Sequence, residues 1–218
     1  MNMFKRDHMK KRLLMCLLGM TVCAVSVSLF KAAVFGVDPF QSLLAGLDCV
    51  LPLSFGTISL TVNLLILVFT FFADRHFIGL GTIFNMLLSG YIIGFATEGM
   101  KALFPNPGMA LRIVFLLAGI VIMCLASAIY ITADLGVSSY DSVALIISGT
   151  WKKGKFKYVR IACDFVCVAS GVGLFFLSGG KFRDIGIIVG AGTIVTAFFM
   201  GPLIDLFRRK LAEPMLNR

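Results

Sequence analysis

Apolar residues along this chain gather into long runs separated by short polar breaks, with no sustained alternation. Six runs approach or exceed the ~20 helical residues needed to cross a bilayer: Leu13–Phe35, Thr57–Ala73, Phe77–Phe104, Met109–Ala133, Ile161–Ser178 and Ile185–Phe207. Runs this long, apolar on all sides, are membrane spans rather than surface helices with one wet face. Pro105-Asn106-Pro107-Gly108 breaks the third run from the fourth, as a proline-rich turn does. The first run follows a basic leader but exceeds the ~7–15 residues of a cleavable signal, so it reads as a retained span.

Two shorter apolar segments, Asp38–Pro52 and Tyr140–Gly149, follow the first and fourth runs. As a helix the second covers only ~15 Å, against a hydrocarbon core of ~30 Å. Both therefore read as short re-entrant or interfacial helices. If both crossed, the chain would have eight spans instead of six, with the same charge bias at its ends.

The chain also repeats itself. Gly36-Val37-Asp38-Pro39-Phe40-Gln41-Ser42 aligns with Gly136-Val137-Ser138-Ser139-Tyr140-Asp141-Ser142. Asn63 in the second run falls opposite Asp164 in the fifth. Gly81-Thr82 followed by Gly90 matches Gly192-Thr193 followed by Gly201 at the same spacing. Each half holds three spans, and an odd number places the halves in opposite orientations. The expected fold is an all-α integral membrane protein of six transmembrane helices, built as two inverted three-helix repeats. Each repeat carries its short helix after its first span. The domains are then a basic leader (1–12), a first repeat (13–104), a linker (105–108), a second repeat (109–208) and a tail (209–218).

Composition agrees with this and adds orientation. The 218 residues are 59% hydrophobic and 14% charged, where soluble domains carry ~25% charged residues. That excludes an ordinary soluble enzyme, a disordered chain and a secreted disulfide scaffold. The net charge of +9 would suggest nucleic acid on a soluble domain. Here fifteen of the twenty basic residues cluster in the leader, at Arg75, in the Lys152–Arg160 connection and in the tail. The positive-inside rule places that side, and both termini, in the cytoplasm; no nucleic-acid partner is expected.

Candidate chemistry lies in the exceptions to low polarity. Asp38-Pro39 reads as an N-cap with proline at the first helical position. Ser138-Ser139-Tyr140-Asp141 resembles a capping box. Such helix ends can hold an anion or a substrate carboxylate in the membrane, or can simply be capped for their own stability. Asp164 is an intramembrane ionisable group and by default a functional candidate. The structural alternative places it near the cytoplasmic interface, paired with Arg160 one turn before it. Asn63 is its uncharged counterpart, and Asn85 is expected to face inward. Thr82 and Thr193 could expose oxygens to a pathway. Gly90-x-x-x-Gly94 and Gly186-x-x-x-Gly190 present small residues for helix packing or a homo-oligomer. The six cysteines and two histidines form no metal-binding spacing, and no catalytic motif is present. Neither a cofactor nor an enzymatic activity is expected.

Gly36-Val37-Asp38-Pro39-Phe40, Gly46-Leu47, Ser54-Phe55-Gly56-Thr57 and Ile78-Gly79-Leu80-Gly81-Thr82-Ile83-Phe84-Asn85 resemble the YitT/YczE family of bacterial membrane proteins, in its YczE-like branch. Phe40-Gln41 stands where that branch usually has tryptophan and aspartate, whereas Tyr140-Asp141 keeps the aromatic-acidic pair. The resemblance implies a multi-pass bacterial plasma-membrane protein and leaves its activity open.

The leading functional expectation is a small secondary transporter or permease for a small polar or anionic solute. Its site would lie between the inverted halves, with the lipid bilayer as surroundings. The candidate residues are Asp38, Asn63, Thr82, Asn85, Ser138, Ser139, Asp141, Asp164 and Thr193. The alternatives are a substrate-binding membrane subunit needing an energising partner, and a non-transporting scaffold or assembly factor.

Overall fold

A computed structural model describes residues 9–36, 38–182, 185 and 189–217. The helices are α1 (Met9–Ala33), α2 (Pro39–Val50), α3 (Phe55–Ala73), α4 (Leu80–Leu103), α5 (Met109–Ala133), α6 (Ser139–Leu145), α7 (Phe156–Leu177), α8 (Ala191–Phe207) and α9 (Glu213–Asn217). A π-helical turn, Ile146–Thr150, extends α6, and another, Arg208–Ala212, joins α8 to α9. Five helical stretches, the last running Ala191–Leu216, are long and apolar enough to cross a membrane, and α4 makes a sixth if its two bent parts form one span. It bends by 43° between Leu80–Ser89 and Tyr91–Leu103.

The expected spans and the helices differ at their ends. Among the described residues the first helix is already formed at Met9 and α7 starts at Phe156, both before the apolar runs begin. Lysine and arginine are good helix formers, so each helix runs on through basic residues that a hydropathy boundary excludes. The last span begins at Ala191, not Ile185. Residues 183, 184 and 186–188 lie outside the described part, and with them the Gly186 packing expectation.

Helices α1 and α5 cross in opposite directions at the centre. Arg12 Nη1 donates to Ala133 O at 3.0 Å at one end. Gly19 lies against Ala126 and Tyr130, and Gly119 against Leu29 and Phe30. Around this crossing the core contains Met15, Cys16, Met20, Phe30, Met123 and Tyr130. The flanking helices are α4 beside α1 and α8 beside α5, while α2 packs on α7 and α6 on α3.

The contacts outside the crossing come in matched pairs. After α1, Phe35 O accepts from Gly192 N at 2.8 Å; after α5, Leu135 O accepts from Gly81 N at 2.9 Å. Gly36 and Gly136 both have left-handed φ, +101° and +102°, which glycine adopts without steric cost. A Cβ on Gly36 would lie 2.6 Å from Gly190 N, and one on Gly136 2.6 Å from Gly79 N. The helix starts at Gly79 and Gly190 are each tied by a threonine three residues on: Thr82 Oγ1 accepts from Gly79 N at 3.3 Å and Thr193 Oγ1 from Gly190 N at 3.2 Å. Thr82 also donates to Val137 O at 2.9 Å, joining the two halves. His76 Nε2 also lies 2.7 Å from Asp134 Oδ1 across the same seam.

Thr82→Val keeps the shape but removes both bonds in a buried position. Leaving their partners unsatisfied costs about 1–3 kcal/mol. The expected outcome is a lower thermal midpoint in detergent, with Ser at the same position retaining most of the stability.

Of the glycines in the two G-x-x-x-G pairs, Gly190 brings backbones together and Gly94 does not. A Cβ on Gly94 would meet nothing within 4 Å, whereas Gly19, Gly46, Gly79, Gly171 and Gly190 all abut backbone atoms. Spacing on one helix shows which residues share a face, but not whether a neighbouring helix covers that face.

Candidate functional site

The two short helices start beside one another. Pro39 opens α2, and the Asp38 carboxylate accepts from Phe40 N and Gln41 N at 3.1 and 3.2 Å. At the start of α6, Ser138 Oγ accepts from Asp141 N at 3.1 Å and donates to Asp141 Oδ2 at 2.7 Å. These side chains occupy helix-start N–H groups on which an incoming anion would depend. The rings of Phe40 and Tyr140 stack with centroids 4.9 Å apart and planes 19° from parallel. These two residues are equivalent positions of the sequence repeat.

Behind the stack lies a buried polar cluster. Tyr140 Oη donates to Asp164 Oδ1 at 2.5 Å. Arg160 bonds Asp141 through Nη1 and approaches Asp164 through Nε at 3.3 Å. Its guanidinium carbon lies 4.4 Å from the centroid of the Tyr140 ring, within cation–π range. Arg160, Asp141 and Asp164 are 6%, 5% and 0% exposed. The expected Arg160–Asp164 pairing is present, and Asp164 is fully buried in the third turn of α7, which starts at Phe156. Arg160, counted in the sequence among the cytoplasmic charges, is a core residue.

A cavity of about 420 Å³ opens in front of this cluster. Asp38, Gln41, Ser59, Asn63, Asn85 and Ser89 line it from the first half, and Ser127, Ser138, Tyr140, Asp141 and Arg160 from the second. A neighbouring cavity of about 320 Å³ shares Ser59, Asn63, Asn85 and Ser89 and adds Thr82 and Ser139. The structure thus brings together Asp38, Asn63, Asn85, Ser138 and Asp141 on one wall, with Thr82 and Ser139 next to it. Asp164 stands behind that wall, reached through Tyr140 and Arg160. Thr193 is fully buried at the start of α8, bonded to Gly190 N, and is not among the residues lining either cavity.

Gln41, Ser59, Ser89 and Ser127 were missed from sequence, and Arg160 was read only as the alternative partner of Asp164. Arg160 carried a usable signal, because its spacing of four from Asp164 places both on one helix face. The serines carried none: on apolar helices they resemble the many serines that bond their own backbone, as Ser89 does to Asn85 O.

The chain matches the family described as "Family of unknown function (DUF6198)" over residues 10–209. It is 29% identical over 201 residues to a Bacillus subtilis (strain 168) protein named "Uncharacterized membrane protein YczE", covering 91% of this chain and 86% of that one. It is 28% identical over 137 residues to an "Uncharacterized protein" of Haemophilus influenzae, covering 62% of this chain and 56% of that one. No solved structure gives a significant match.

Proposed function

We propose that this chain, which belongs to the DUF6198 family of unknown function, is a small secondary transporter whose solute site is the central cavity. The observation that carries this reading is a polar cavity walled by both halves inside an otherwise apolar helical protein. Intramembrane polar groups are costly and mark solute and proton pathways. A dry seam between the halves would have favoured a scaffold instead.

The halves are proposed to be inverted repeats, with both termini on the cytoplasmic side of the bacterial plasma membrane. Support comes from the opposed crossing of α1 and α5 and from the doubled contacts Phe35–Gly192 and Leu135–Gly81. Sites in transporters of this kind lie near the midplane, where the repeats meet. The helices α2 and α6 are proposed to be re-entrant, because each starts at the Phe40–Tyr140 stack and α2 has only 12 residues. The cavity and the cluster behind it hold three carboxylates, Asp38, Asp141 and Asp164, against two cations, Lys31 and Arg160. The solute that suits such a wall is polar and neutral or cationic, rather than anionic.

Asp164 is the proposed proton carrier, linked to the cavity through Tyr140. The test uses the purified full chain in proteoliposomes enclosing a pH-sensitive dye, challenged with a panel of small amines and amino acids. The expected result is dye acidification or alkalinisation on addition of at least one solute. Asn85→Leu should reduce the response at least about ten-fold, as removal of a polar solute contact does. Asp164→Asn should abolish the proton response. Solute uptake in Asp164→Asn with undiminished pH dependence would reject the proton role. Activity of the lone chain would also exclude an obligatory energising subunit.

A further inference from the structure

We infer that the groove between α2, α6 and α7 holds one acyl chain of a bilayer phospholipid with an anionic headgroup, which the lysines of the α6–α7 connection select. The groove has a volume of about 600 Å³, and its walls include Phe40, Leu43, Val143, Tyr158, Ala162 and Val166. Lys153 and Gly154 lie at one end of it. The wall along α7 from Tyr158 to Val166 rises about 12 Å without a charged residue facing the groove. One end is cationic and the rest is apolar, as a phospholipid requires.

Charge and aromatic placement argue for this occupant. Lys152, Lys153, Lys155 and Lys157 crowd the connection, and among the described residues none of the four makes an ion pair within the chain. Trp151 and Tyr158 are exposed beside them, in the manner of aromatic residues at a headgroup level. Basic clusters at that level attract anionic lipids, about five-fold in occupancy for each lysine. This inference does not depend on the transport reading, because a lipid held in this groove would serve a scaffold equally well.

The chain has a single tryptophan, Trp151, and Lys153 Nζ lies 5.7 Å from its ring. It is therefore a reporter at the mouth of the groove. The full chain is reconstituted in phosphatidylcholine vesicles containing a low fraction of brominated phosphatidylglycerol or brominated phosphatidylcholine, and bromine quenching of Trp151 is measured. The expected result is stronger quenching by the brominated phosphatidylglycerol. Lys153→Gln should lower that preference about five-fold. Ala162→Phe, whose added ring would extend into the open groove, should weaken quenching by the anionic lipid while leaving the protein folded. Equal quenching by the two lipids in the unmodified chain overturns the inference, and so does a preference that Lys153→Gln leaves unchanged.

Discussion

Arg160→Met is expected to be the most damaging single substitution in the protein. The side chain it removes is the cationic partner of both Asp141 and Asp164, all three being buried. Taking one partner from a buried ion cluster leaves uncompensated charge and costs about 3–5 kcal/mol. A lysine does not substitute well. Its ammonium cannot present a planar fork to two carboxylates while lying over the Tyr140 ring. Neutralising the whole cluster is a different matter. Buried ion pairs replaced entirely by neutral groups are often no less stable than the original. The triple variant Arg160→Met, Asp141→Asn, Asp164→Asn should therefore recover most of the thermal stability that the single change loses. Stability measured in detergent for the single, double and triple variants gives the coupling directly. A triple variant that is stable but inactive in proteoliposomes would show that the charges serve the proposed transport rather than the fold. A single Arg160→Met variant as stable as the parent would mean that Arg160 is not buried against these acids.

How far the site was legible in the sequence depended on what kind of signal each residue left. The repeat was readable because glycine and threonine were needed in both halves for the same local reason. Gly36 and Gly136 take left-handed φ, and Gly81-Thr82 and Gly192-Thr193 receive the loops that these glycines turn. The repeat also paired Phe40 with Tyr140, and these are the rings that stack on each other. Other features were hidden by their surroundings. Arg160 closes a lysine-rich connection, and composition there reports orientation, so its burial could not be seen until the helix was known to start at Phe156. Thr193 and Thr82 look equivalent in sequence, yet Thr82 lines the smaller of the two cavities described and Thr193 lines neither. That difference arises from how the rest of each half packs. The short capped helices were identified correctly as elements, while the use of their N–H groups by Asp38 and Ser138 favours a polar wall over an anion site.

The second large effect is expected on α7, where two neighbouring glycines should behave in opposite ways. Gly171 and Gly173 are separated by Val172 on one helix, and nothing in composition or spacing ranks them. Gly171 faces α2: a Cβ there would lie 2.7 Å from the Ser42 carbonyl carbon and 3.1 Å from Leu43 N, while one on Gly46 would lie 2.6 Å from Gly171 Cα. The obstacles are backbone atoms, which cannot rotate away as a side chain can. Gly171→Ala must therefore push α2 off α7. Overpacking of this kind costs about 1–3 kcal/mol, and the absence of any flexible neighbour places it at the upper end. The displacement also reaches the site, because α2 carries Phe40, whose ring backs Tyr140 and through it the hydroxyl bonded to Asp164. At Gly173, by contrast, an added Cβ would meet nothing within 4 Å. Gly173→Ala should be neutral or stabilising by up to about 1 kcal/mol, the difference in helix propensity between the two residues. Thermal unfolding followed by Trp151 fluorescence checks both, and equal behaviour of the two variants would contradict the α2–α7 contact. Loss of solute response in Gly171→Ala, at temperatures where the variant is still folded, would tie that helix contact to the geometry of the cavity.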